Sequence, residues 1–170
     1  MKWYNWEAGN IFLDDVDSRL LSAAKLQANI AYVPQTAQLF QQTIRENLTF
    51  GQAAISDEEI WDLAEVCGMK ERLLACEQGL DTVITSTTDF SAGEGQRLEL
   101  MRALLKHASC YIFDEPTSHL DSLNEAIFID LIKKHCQGMV FLISHRSSTL
   151  ACVDQLYDMK NGTLTEVKER

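Results

Sequence analysis

Two adjacent acids close an apolar run in "CYIFDEPTSHLD", Cys110 to Asp121. Open α/β sheets bind ligands at the carboxyl ends of their strands, so Asp114 and Glu115 stand where chemistry is done. An aspartate there can hold a divalent cation, and a neighbouring glutamate can orient or deprotonate an attacking water. Three further groups follow the same logic: Gln35 ends the run "ANIAYVPQ", Ser91 and Gly93 open the helix of "FSAGEGQRLELMRALL", and His145 follows "MVFLIS". Taken singly, each has an ordinary structural reading as a turn glutamine, a helix cap, a solvated acid pair or a surface histidine. Their order along the chain, strand-Gln, Ser-x-Gly-helix, strand-Asp-Glu and strand-His, makes coincidence implausible.

The elements that must position these groups are legible in the pattern. Fully apolar strands alternating with helices predict a parallel sheet covered on both faces. "NIFLDD" and "ANIAYVPQ" read as strands, the second stopped by Pro34. Three Ser/Thr-x-x-Glu signatures, Thr43 with Glu46, Ser56 with Glu59 and Ser91 with Glu94, mark helix starts. Ile60, Leu63, Ala64 and Cys67 recur at helical spacing, with Gly68 as the stop, and a further helix starts near Asp121. Asn161-Gly162 between two alternating runs predicts a hairpin.

Composition excludes several function classes. The 170 residues are 46% hydrophobic and 24% charged with two prolines, which is the balance of one globular domain. The net charge of −10 is spread along the chain and leaves no basic stripe for a phosphate backbone, so nucleic-acid binding is disfavoured. The five cysteines form no C-x-x-C pair, which suggests neither a disulfide framework nor a zinc site and fits a reducing compartment. No apolar run reaches the roughly 20 residues that span a bilayer, and the start carries no signal-peptide pattern.

With these motifs on the page, the sequence resembles the ATP-binding cassette (ABC) ATPases, whose nucleotide-binding domains drive membrane transporters. "YVPQ" is similar to their Q-loop, "FSAGEGQR" to the signature motif, "CYIFDEP" to Walker B, "SHLD" to the D-loop and "LISHR" to the H-loop, while "QLFQQTIRENLTFG" resembles the exporter segment after the Q-loop. The resemblance implies a P-loop NTPase-like α/β fold: a partial ATPase core over residues 1–40 and 96–170, with a helical subdomain over 41–95. It implies ATP and Mg²⁺ as ligands, Asp114 and Gln35 at the metal, Glu115 as general base and His145 at the γ-phosphate. Ser91, Ala92, Gly93 and Glu94 of the signature and Asp121 of the D-loop would bind nucleotide across a dimer, with Ser118 at the interface. The partners implied are a transporter's transmembrane domain and a second nucleotide-binding domain, at the cytoplasmic face of the cell membrane.

Departures from the family pattern qualify that expectation. Ala92 stands where glycine is usual, Glu94 where glutamine is usual, His119 where alanine is common, and "TSTTD" replaces a lead rich in Gly and Glu. The charge of Glu94 is expected to oppose a triphosphate. No G-x-x-x-x-G-K-[ST] loop occurs in the 170 residues, and "MKWYNWEAGNIFLDD" resembles the stretch just after the Walker A helix. The expectation is therefore a piece of a larger transporter cut just past Walker A, inactive alone and prone to self-association through exposed sheet. Against it stand a degenerate paralogue acting as a non-catalytic binding or regulatory module, and a soluble ABC ATPase.

Overall fold

Three short strands carry the candidate site. They are β3 (Ile30–Val33), β4 (Cys110–Asp114) and β5 (Met139–Ile143), parallel and in the order β3-β4-β5. The computed structural model describes residues 8–50, 52, 54–86, 89–118 and 120–167. Two hairpins flank this sheet in the chain. The first, β1 (Phe12–Leu13) with β2 (Val16–Asp17), turns through Asp14 and Asp15 at φ 47° and 63°. The second, β6 (Tyr157–Lys160) with β7 (Thr163–Glu166), turns through Asn161 and Gly162 at φ 49° and 77°, as the Asn-Gly signal predicts.

The helices are α1 (Ala23–Asn29), α2 (Ile44–Thr49), α3 (Asp57–Val66), α4 (Lys70–Leu74), α5 (Ala92–Leu105), α6 (Ser122–His135) and α7 (Ser147–Leu150). Thr43 and Ser91 form complete capping boxes with Glu46 and Glu94. At α3 only half the box forms. Ser56 accepts from the Glu59 N–H, but the Glu59 carboxylate turns instead to His107 Nε2 at 2.7 Å. α1 lies in a stretch read from sequence as strands alone; its seven residues follow a Ser22 cap and hold Ala, Lys, Leu and Gln, all good helix formers.

Side chains alternate across the sheet, and its two faces differ. Ala31, Val33, Tyr111 and Phe113 share one core with Leu98, Met101 and Leu105 of α5 and Phe128 and Ile132 of α6. The Phe113 and Phe128 rings meet edge-on at 6.4 Å. On the opposite face Tyr32, Met139, Phe141 and Ile143 are exposed, the last three by more than half. The expectation of a sheet covered on both faces therefore fails among the described residues. A wholly apolar strand such as "MVFLI" promises two buried faces, but here the described helices cover only one.

The connection from α6 into β5 is tight. A Cβ on Gly138 would stand 2.2 Å from the backbone oxygen of Ser109, the same oxygen that accepts from the Met139 N–H at 3.0 Å. Backbone cannot yield there as a flexible side chain can. Gly138→Ala is expected to lower stability by about 1–3 kcal/mol, read as a lower denaturant midpoint; an unchanged midpoint would contradict this packing.

Candidate functional site

The paired registers of β4 and β5 bring the acids and the histidine together. Asp114 lies opposite Ile143, and the Glu115 N–H donates to the Ile143 carbonyl at 2.9 Å. Glu115 takes φ 48°, a left-handed conformation that is uncommon for a residue with a side chain and that frequently marks a functional turn. His145, two residues past β5, places Nδ1 2.8 Å from Glu115 Oε1. The second carboxylate oxygen, Glu115 Oε2, is buried without a hydrogen-bond partner. A buried carboxylate oxygen lacking a donor is costly unless a ligand or water supplies one.

Asp114 accepts a hydrogen bond from the Tyr32 hydroxyl at 3.1 Å across the sheet. Burial first, then the hydrogen bond to Asp114 and its charge, raise the Tyr32 phenol above its ordinary value and keep it a donor. Beyond the acids, Pro116 and Thr117 are buried, and the Ser118 and Leu120 N–H groups donate back to Glu115 and Thr117 carbonyls. Asp121 caps α6, accepting from the Asn124 N–H at 2.9 Å and its Nδ2 at 2.8 Å, bonds that hold its carboxyl below the usual range. His119 lies outside the described residues, as do Met1–Glu7 and two residues of "TSTTD".

The start of α5 forms a second group. Ser91 and Ala92 are exposed, and Ser91 Oγ accepts from the Glu94 N–H at 3.3 Å while Glu94 Oε2 accepts from the Ser91 N–H at 2.7 Å. Arg72 of α4 meets the other Glu94 oxygen at 3.2 Å, donates to the Asp89 carbonyl at 2.7 Å and lies 4.7 Å over the Phe90 ring. The Glu94 charge is thus matched locally by an arginine. Of two glycines in the first turns of α5, Gly95 permits a tight approach to a neighbouring loop, while Gly93 leaves room for an ordinary contact. Positions for a Cβ on Gly93 and Gly95 lie 3.5 Å from Leu120 and 3.1 Å from Ala37.

Gln35 is exposed, and the segment after it is pinned to α5. The Gln38 N–H donates to Glu99 at 2.7 Å, while Arg102, paired with Glu99 at 2.9 Å, donates to the Gln38 and Asn47 carbonyls at 3.1 and 2.6 Å. Arg102 also stacks over Phe40 and Phe50. Glu99 is deeply buried, and burial is the largest influence on both partners, raising the carboxyl and lowering the guanidinium. The sequence reading found Gln35 but not this clamp, whose members carry no shared period.

A match to the family described as "ABC transporter" covers residues 1–118. The chain belongs to the ABC transporter family. Among relatives, it is 34% identical over 167 residues to a probable ABC transporter ATP-binding/permease protein of Haemophilus influenzae, covering 97% of this chain and 30% of that protein. It is also 34% identical to an ATP-dependent lipid A-core flippase of Syntrophus aciditrophicus, over 97% of this chain and 28% of that protein. A solved bacterial Atm1-family ABC exporter with ATP bound superposes with a TM-score of 0.87 at 29% identity, over 97% of this chain and 29% of that one. The chain spans between 13% and 30% of the length of the curated relatives it matches. The fold is that of a P-loop ABC ATPase, mixed α/β with a parallel sheet, and the chain is homologous to the ATP-binding part of ABC exporters. No helix among the described residues is long and apolar enough to cross a membrane.

The Glu94 arrangement has a pH signature. Burial, the largest single influence, pushes its carboxyl up, but the Ser91 bonds and Arg72 outweigh it and leave it below its ordinary value. A carboxyl lowered by folding contributes stability that is present above its unfolded value, about 4.3, and lost as pH falls through the lower folded value. Glu94→Gln is expected to flatten the loss of stability on acidification below about pH 4.5; superimposable acid limbs in denaturant titrations would contradict the pairing.

Proposed function

We propose that this chain carries the hydrolytic half of an ABC exporter's ATPase, the part that binds the metal, activates water and closes against a second nucleotide-binding domain. The observation that carries this reading is the Glu115 carboxylate, fixed through one oxygen by His145 and presenting the other, buried and without a partner, at a strand end. Asp114 and Gln35 would hold Mg²⁺, which when bound offsets phosphate charge. The donor set fits a hard cation, since an aspartate and an amide oxygen are its usual ligands.

Glu115 Oε2 is the acceptor for a proton of the attacking water. Because a carboxylate only accepts, the His145 Nδ1 carries a proton where it meets Glu115. Donation from Nε2 to the γ-phosphate as well requires the imidazolium, since Nε2 of the neutral Nδ1–H ring is an acceptor. Ser91 and Gly93, with Ala92 and Glu94, bind a phosphate held by the opposing subunit through the hydroxyl and N–H groups at a helix start. Asp121 and Ser118 lie at the dimer seam. Residues 1–40 with 96–170 act as the core and 41–95 as the helical subdomain. A transmembrane domain at the cytoplasmic face of the cell membrane is the partner these relatives suggest, since their names join ATP-binding and permease functions. Phe40, Phe50 and the Arg102 clamp that follows Gln35 suit such a contact.

No G-x-x-x-x-G-K-[ST] loop lies within the 170 residues, so these residues alone are expected to turn over little or no Mg·ATP. Joined to a segment bearing that loop, the protein is expected to hydrolyse ATP, and Glu115→Gln to lower kcat by about 10²–10⁴-fold with nucleotide binding kept. Hydrolysis that survives Glu115→Gln would overturn the assignment.

A second expectation concerns the isolated chain. β5 pairs only with β4 among the described strands, and Met139, Phe141 and Ile143 stand exposed along it. An open edge beside an apolar face favours pairing with a second copy. Light scattering is expected to find dimers or larger species; a monodisperse monomer, unchanged by Phe141→Ser, would contradict this.

A further inference from the structure

The residue after His145 makes contacts that the hydrolytic roles do not use. Arg146 donates through Nη1 to the carbonyls of Thr117 and, at 2.9 Å, Leu120, while Nη2 pairs with Glu125 Oε2 at 2.9 Å. Glu125, on the first turn of the helix capped by Asp121, is only 3% exposed. Its Oε1 accepts from Ser148 Oγ and Thr149 Oγ1, each at 2.6 Å. Thr117 and Thr149 are fully buried, with their hydroxyls 3.4 Å apart. Burial pushes the Glu125 carboxyl up, yet the two hydroxyls and Arg146 hold it below its ordinary value, so it stays charged at neutral pH.

A buried carboxylate with its donors all supplied fixes those donors in turn. Here the donors come from the segment that carries His145, and the guanidinium reaches the turn that follows Glu115. A planar fork can meet two carbonyls and a carboxylate at once, and a lysine ammonium on a flexible stem cannot keep that geometry. The far carbonyl belongs to Leu120, the residue that Gly93 of α5 approaches. One side chain therefore links the histidine segment, the turn after the general base and the neighbour of the signature helix.

We propose that Arg146 is a positioning residue that locks the turn after Glu115 to the His145 segment, so that the base and the phosphate-facing histidine move as one unit. This rests on the hydrolytic reading given above for Glu115 and His145. The lock itself is a property of the chain and is tested without turnover.

The test is amide hydrogen exchange on the chain with Arg146→Lys, with the isosteric Glu125→Gln carrying the same test should the lysine variant not fold. The reporting amides are Ser118 and Leu120 on one side and Leu150 and Ala151 on the other, all hydrogen-bonded in the turns concerned. Both sets are expected to lose protection together by roughly tenfold or more, while amides within α5 change by less than about twofold. Loss spread evenly over α5 and both turns would mean a general stability role and overturn the proposal, as would loss confined to one turn. In the loop-bearing protein the same substitution is expected to lower kcat and leave KM for ATP within about twofold. Coupled exchange with no effect of Glu115→Gln on turnover would instead fault the hydrolytic reading and leave the lock standing.

Discussion

The site depends on one hydrogen bond between strand ends. The Glu115 N–H reaches the Ile143 carbonyl only because β4 and β5 run parallel with Asp114 opposite Ile143, and because Glu115 turns into the left-handed region at that point. Shift the register by one residue and every side chain changes face. Asp114 would then leave Tyr32, and Glu115 would leave His145. The register is held from below by the apolar face of the same strands, where Tyr111 and Phe113 pack with α5 and α6. Core packing and site geometry are thus two faces of one sheet.

Polar clamps extend that geometry outward. Arg72 sets the start of α5, Arg102 with Glu99 holds the segment after Gln35 to the same helix, and Arg146 with Glu125 joins the turns after the acids and the histidine. Each arginine reaches at least one backbone carbonyl as well as its carboxylate. The pairs with a buried carboxylate, Arg102–Glu99 and Arg146–Glu125, are poor sources of net stability but are sensitive to geometry, because breaking one leaves a buried group unsatisfied. Loops that would otherwise sample many conformations are in this way tied to two helices.

How much of this could be read from the sequence follows from which signals are local. Asp114, Glu115 and His145 were legible because each ends an apolar run, and the Thr43, Ser91 and Asp121 caps because a cap and its helix are neighbours in the chain. Tyr32 bonding Asp114, Arg72 meeting Glu94 and Arg146 meeting Glu125 join residues far apart in sequence with no period between them. Glu94 shows the consequence: from sequence only its charge is legible, while the fold adds a cap and an arginine partner to it. Exposed sheet was expected from the missing phosphate loop, but the strand that would carry it was not legible, since an apolar run such as that of β5 looks the same whether one face or both are covered.

The most direct test of the account is a structure of the loop-bearing Glu115→Gln protein with Mg·ATP. The account predicts the metal at Asp114, a water between the residue-115 side chain and the γ-phosphate, and the His145 ring in contact with that phosphate. Nucleotide bound with its γ-phosphate away from all three residues would contradict it.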